Sequence, residues 1–210
     1  STQVLFAVTA DYLAGPPGVP IPPERVTLFE VNIGIGVVAF LALSAFFHFL
    51  ISSPWFFGRY KNGLLANRNY FRWVEYSLSS SIMIWLILAI NGVTDIAALF
   101  SIFAVNAAMI LFGALQEKYE QPGSGGLLPF IFGSMVGIVP WILILIYFLR
   151  PGSESEAAPP DFVVGIVISL FVFFNTFAIN QWLQYKQVGK WKSYLQGERS
   201  YITLSLVAKT

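Results

Sequence analysis

Two ionisable residues, Glu75 and Lys209, lie within runs that are otherwise apolar, and His48 is a third polar group in a third such run. An ionisable side chain at membrane depth costs about 2.5–3.5 kcal/mol by insertion scales, so it is usually paired or put to use. Each has a hydroxyl one helical turn away on its own face: Ser44 is i−4 to His48, Ser79 is i+4 to Glu75 and Ser205 is i−4 to Lys209. A lysine amine kept from water is nucleophilic toward aldehydes and forms Schiff bases. The resulting cation in a low dielectric requires a carboxylate, and Glu75 is the intramembrane candidate. Histidine can take or share a proton near neutrality, which gives His48 a place beside the pair.

Plainer readings compete with this one. Glu75 can pair with Arg72, three residues earlier on the same face. His48 can be a packing histidine, and Lys209 can snorkel from a helix end. Serines in membrane helices often bond their own i−4 carbonyl. The coincidence of all three groups at one depth favours a buried site. Lys209 lies eleven residues past Glu198, so its Cα sits roughly 16 Å into the span at about 1.5 Å per residue. Its side chain tilts back toward the helix N-terminus. His48, near the end of its segment, and Glu75, in the first turns of its own, reach the same level.

The elements that position these groups are membrane spans. Of the 210 residues, 56% are hydrophobic and 11% charged, against roughly 45–50% and 25% in soluble domains. Five apolar segments of full length occur at 28–53, 70–91, 96–116, 127–149 and 162–185, designated B to F. A sixth, G, covers 199–210, about half the length a span requires. The chain therefore reads as an all-α polytopic membrane helix bundle, a single domain in which five spans are full and the last is partial. Residues 1–27 read as a polar-face loop, because Gly15-Pro16-Pro17-Gly18, Pro20, Pro22 and Pro23 break any helix. Alternating Val4, Phe6 and Val8 suggest a β-hairpin there.

Cationic residues set the orientation. Arg59, Lys61, Arg68 and Arg72 fall between B and C or at the start of C, Lys118 between D and E, and Lys186, Lys190, Lys192 and Arg199 between F and G. Only Arg25 and Arg150 lie on the other side, with Asp11, Glu24, Glu30, Asp95, Glu154, Glu156 and Asp161. The B–C, D–E and F–G loops are thus expected to be cytoplasmic and the C-terminus extracellular, with lipid as the surrounding medium. Glu117-Lys118-Tyr119-Glu120 and Lys190-Trp191-Lys192 read as solvated loop charge. There is no cysteine, one histidine and a net charge of +1, which argues against disulfides, common zinc sites and nucleic-acid partners. No enzymatic activity is expected.

Several stretches resemble the heliorhodopsins. They are Arg72-Trp73-Val74-Glu75-Tyr76-Ser77-Leu78-Ser79-Ser80-Ser81 on C, Ser44-Ala45-Phe46-Phe47-His48-Phe49 on B, Gln116-Glu117-Lys118-Tyr119 after D, Leu183-Gln184-Tyr185-Lys186 after F, Gly197-Glu198-Arg199 before G, and Ser205-Leu206-Val207-Ala208-Lys209 on G. The order and loop lengths run through the whole chain. Relative to that family's seven helices, the first helix and the second half of the seventh are expected to be missing. The family's inside N-terminus is the reverse of other rhodopsins, in agreement with the charge count.

The resemblance implies all-trans retinal bound covalently to Lys209, Glu75 as counterion, and His48, Ser44, Ser205 and Ser79 around the Schiff base. A first-helix histidine of the family has no counterpart here. The resemblance also implies a retinal pocket of Tyr76, Asn106, Met109, Pro140, Trp141, Phe171, Phe174 and Gln181. It implies a homodimer through the extracellular loop and helices D and E, where Gly113, Gly133 and Gly137 allow close approach. The absence of a second carboxylate after Glu75 on C, and of ionisable residues in the apolar cores of D, E and F, favours light sensing through a signalling partner over ion pumping. A light-driven or light-gated ion transporter is the alternative. A lipid- or carotenoid-binding protein without a covalent chromophore is a third reading.

Overall fold

The structure, a computed structural model, describes residues 5–149 and 161–209. It is a helical bundle with one hairpin at one end. Strands β1 (Leu5–Tyr12) and β2 (Glu24–Asn32) are followed by α1 (Ile33–Ser52), α2 (Pro54–Leu65), α3 (Tyr70–Ile90), α4 (Ile96–Tyr119), α5 (Leu128–Leu149), α6 (Asp161–Tyr185) and α7 (Tyr194–Lys209). A 3-10 turn, Gly189–Lys192, precedes α7. Helices α1, α3, α4, α5 and α6 are long and apolar enough to cross a membrane. The expected all-α membrane bundle with a small hairpin is what the chain forms. Val4 and the E–F connection with Arg150, Glu154 and Glu156 lie outside the described residues.

Several elements depart from the sequence reading. Helix α1 begins at Ile33 rather than 28, because β2 continues through Asn32, whose side chain accepts the Ile35 N–H as an N-cap. Val26, Thr27, Leu28 and Phe29 are apolar or β-branched and suit either state; pairing with β1 decides for strand. Between B and C the chain forms α2, opened by Pro54 at its first position. Helix α7 starts at Tyr194, five residues before the apolar run at 199, because its first turns are polar and bury inward.

The hairpin's register sets Asp11 opposite Arg25, whose guanidinium bonds both carboxylate oxygens at 2.8 Å. That hydrogen bond holds the Asp11 carboxyl below the usual carboxylate range. On the inner edge, Thr9 N–H donates to the Thr94 carbonyl at 2.8 Å, and Val8 enters a core of Met83, Ile84, Ile87, Leu88, Val93, Leu99, Ile102 and Ile144. The hairpin thus caps the α3–α4 corner and seals the apolar end of the bundle.

Helix α3 is the central element: 61% of its span is buried inside the protein, against 6% for α1. Asn69 caps its start by accepting the Arg72 N–H, and Asp95 caps α4 by accepting the Ala98 N–H. Gly113, Gly133 and Gly137 are buried within the protomer. Gly113 admits the Trp73 ring, and Gly133 and Gly137 admit Phe112 and Met109 of α4. They serve packing inside one chain, so they lend no support to an interface between copies. A Cβ at Gly113 would lie 2.7 Å from Trp73 Cη2. Gly113→Ala is therefore expected to cost about 1–3 kcal/mol by overpacking, read as a lowered thermal unfolding midpoint in micelles; an unchanged midpoint would contradict the close approach.

Candidate functional site

Away from the hairpin, the bundle interior turns polar. Lys209 Nζ pairs with Glu75 Oε1 at 2.6 Å, and the two side chains are 11% and 4% exposed. Ser44 joins them: its hydroxyl donates to the same Glu75 oxygen at 2.5 Å and accepts from Lys209 Nζ. Three helices, α1, α3 and α7, each contribute one member. A pair this buried persists only when its hydrogen-bonding capacity is met, since either charge left alone would be severely penalised.

The expected members fall into different places. His48 lies one turn past Ser44 with Nδ1 2.8 Å from the Ser44 carbonyl. A carbonyl only accepts, so Nδ1 is the donor in this contact. No hydrogen bond joins His48 to Lys209 or Glu75 among the described residues. Ser79 is buried, and its Oγ has no partner among the described residues. Ser205 is buried on α7 and lines a cavity that ends at Lys209.

That cavity lies between α3, α4, α5, α6 and α7. Its walls are mainly apolar and aromatic, and Lys209 is the charged group on them. Of the residues that the sequence reading assigned to a pocket, Tyr76, Met109, Phe174 and Gln181 line it. Trp141 and Phe171 stand behind the wall, with the Trp141 ring edge-on to Phe171 at 5.1 Å and to Phe174 at 5.4 Å. Pro140 is fully buried within α5. Asn106 is 1% exposed and donates to Ser80 and Ser81 at 2.9 and 3.1 Å, so it ties α4 to α3 rather than facing the cavity. Phe177 and Ala178 also line the cavity. Their spacing from Phe174 and Gln181 is helical, so the i, i+3, i+4, i+7 pattern could have found them.

A second charged cluster is not legible in the sequence. Arg72 turns away from Glu75 and pairs with Glu117 at 2.9 Å and with Glu198. Glu117 is not solvated loop charge: α4 runs on to Tyr119, and the Glu117 side chain is only 7% exposed. It accepts from Arg72 at 2.9 Å, the Asn69 N–H at 2.9 Å, Trp73 Nε1 at 2.5 Å and Tyr194 at 2.8 Å. Glu198 accepts from Asn69 Nδ2 at 2.7 Å. The Arg72 guanidinium also sits 4.0 Å from the Tyr201 ring and 4.4 Å from the Trp73 ring. Arg72 and Glu75, three residues apart on α3, thus anchor two adjacent networks.

Trp73 and Tyr201 join the apolar cavity to the Arg72 cluster, and Gln181 lines that cavity beside them. Trp73 holds Glu117, Tyr201 covers Arg72, and Gln181 Nε2 donates to the Gly113 carbonyl at 3.0 Å. A change of shape in the cavity must therefore press on the ion network. Glu117→Ala leaves Arg72 with one carboxylate and strands donors at Trp73 and Tyr194, and is expected to destabilise by about 3–5 kcal/mol. Thermal unfolding in micelles checks this; an unshifted midpoint would mean the cluster is solvated.

The family model described as Heliorhodopsin matches residues 1–210. No curated protein matches the chain. The chain therefore belongs to the heliorhodopsin family, whose members are retinal-binding, photoreceptor-type rhodopsins.

Proposed function

From membership of that family, we propose that this multi-pass membrane protein is a light sensor in which Lys209 carries all-trans retinal as a protonated Schiff base with Glu75 as its counterion. The observation that carries the reading is the Lys209–Glu75 pair at 2.6 Å, placed at the end of an apolar, aromatic-walled cavity. Bound retinal supplies light absorption and isomerisation. The chain supplies the rest. Glu75 and the Ser44 hydroxyl balance positive charge at the Lys209 nitrogen, and the rings of Tyr76, Phe174 and Phe177 exclude water and restrict the shape of the guest. His48 lies one turn from Ser44 on α1, exposed and bonded to the Ser44 carbonyl, and its place beside the Schiff base rests on the family resemblance.

Signalling without net transport is favoured by the distribution of ionisable groups. Glu75, Lys209, Arg72, Glu117 and Glu198 all occupy the half of the bundle away from the hairpin, while the core beneath the hairpin is aliphatic. Among the described residues, that core offers a transported ion no ionisable group. By the charge count, the polar half is cytoplasmic, the side on which a signalling partner would bind. No enzymatic role and no nucleic-acid partner are proposed. A homodimer is supported by the exposed apolar residues Leu28 and Phe29 on the hairpin, which offers an unpaired β2 edge.

Adding all-trans retinal in the dark should generate a visible band in the wild-type chain and none in Lys209→Ala. Acid denaturation should leave the chromophore attached to the wild-type polypeptide; a band that survives Lys209→Ala overturns the assignment. Glu75→Gln should move the band to longer wavelength, because loss of the carboxylate charge destabilises the ground state relative to the delocalised excited state. Illuminated vesicles should show no sustained pH change, with or without a protonophore. A sustained, protonophore-sensitive change would instead favour a proton transporter.

A further inference from the structure

A second, polar cavity opens at the end of the bundle opposite the hairpin, between the starts of α3 and α7, the ends of α4 and α6, and the 3-10 turn. Its lining carries Arg68, Arg72, Lys118 and Lys192 against Glu117 and Glu120. These charges are not equally available. Glu117 is taken up by its four donors, and Arg72 is shared between Glu117 and Glu198. At the mouth, Arg68, Lys118 and Lys192 form no ion pair among the described residues, and Glu120 alone opposes them, a surplus of two positive charges. Arg68 Nη2 donates to the Lys118 carbonyl at 3.2 Å, which holds the guanidinium at the rim. Deeper in, Arg72 Nε is buried and has no hydrogen-bond partner among the described residues.

From this arrangement we infer that the cavity is a binding site for an organic dicarboxylate, either a free small molecule or two acidic side chains of a protein partner. The charge surplus matches two carboxylates. A guanidinium fork suits their planar geometry, and charge-assisted bonds of this kind are about twice as strong as neutral ones. Tyr119, Tyr185, Trp191 and Tyr194 line the same space, so the guest needs a carbon body to cover rings as well as charge to meet the cations. A bare inorganic anion satisfies only half of the lining. The inference does not rest on the retinal reading, since none of the charged groups at the mouth touches Lys209 or Glu75.

Equilibrium binding of succinate, of tetraglutamate and of inorganic phosphate to the full chain in lipid nanodiscs, in the dark at fixed ionic strength, tests it. Saturable binding of succinate identifies a free small-molecule guest, and binding of tetraglutamate alone identifies acidic side chains of a partner. In either case Arg68→Gln/Lys192→Gln should weaken binding at least ten-fold, while Lys190→Gln, outside the lining, should leave it unchanged. The inference is overturned if neither carboxylate probe saturates, if phosphate binds as tightly as succinate, or if the double variant binds like wild type. A retained helical circular dichroism spectrum separates loss of the site from loss of the fold.

Discussion

A cation and an anion in contact at membrane depth constrain everything around them. The Lys209–Glu75 pair survives there because both ends are almost closed to solvent and because Ser44 supplies a hydroxyl that accepts from one and donates to the other. Removing either charge would leave the other stranded in a low dielectric. The three helices that meet at this point are thereby fixed in rotation as well as position, since a turn of α1 by one residue would carry Ser44 out of the contact. Helix α3, the most buried span, is the element about which the others are arranged.

The second ion network follows from the first. Arg72 precedes Glu75 by less than one turn, and were it to fold back onto Glu75 it would compete with Lys209 for the same carboxylate. Two other acids, Glu117 from α4 and Glu198 from α7, draw it the other way. The outcome is a pair of charge clusters separated by the rings of Trp73 and Tyr201. Those rings are walls of the apolar cavity and partners of the ion network at once. In a sensor, this shared wall offers a route by which a change at Lys209 reaches the Arg72 network.

How much of this is legible in the sequence depends on the kind of signal. The spans are visible because a charge-free run of membrane length needs lipid around it, and Lys209 and Glu75 stand out because charges there are costly. Phe174 and Gln181 are reachable through helical periodicity. Glu117 is not, because a Glu-Lys-x-Glu run just past an apolar segment looks like any solvated helix end. Its burial depends on Tyr194 and Trp73, which are distant in sequence. Likewise Glu198 marks where an apolar run begins, and nothing local announces that α7 starts earlier and folds its polar turns inward. The β2–α1 boundary is ambiguous because residues 26–29 suit strand and span alike. The three glycines do mark sites of close approach, but only the packing shows that the approaching groups belong to the same chain.

The central relation, a Lys209 nitrogen whose charge is balanced by the Glu75 carboxylate, can be tested by acid titration of the visible band in the retinal-loaded protein. Acidification should protonate Glu75 and move the wild-type band to longer wavelength in a single transition, and Glu75→Gln should show no such transition. An identical acid transition in Glu75→Gln would place the counterion elsewhere and contradict the assignment.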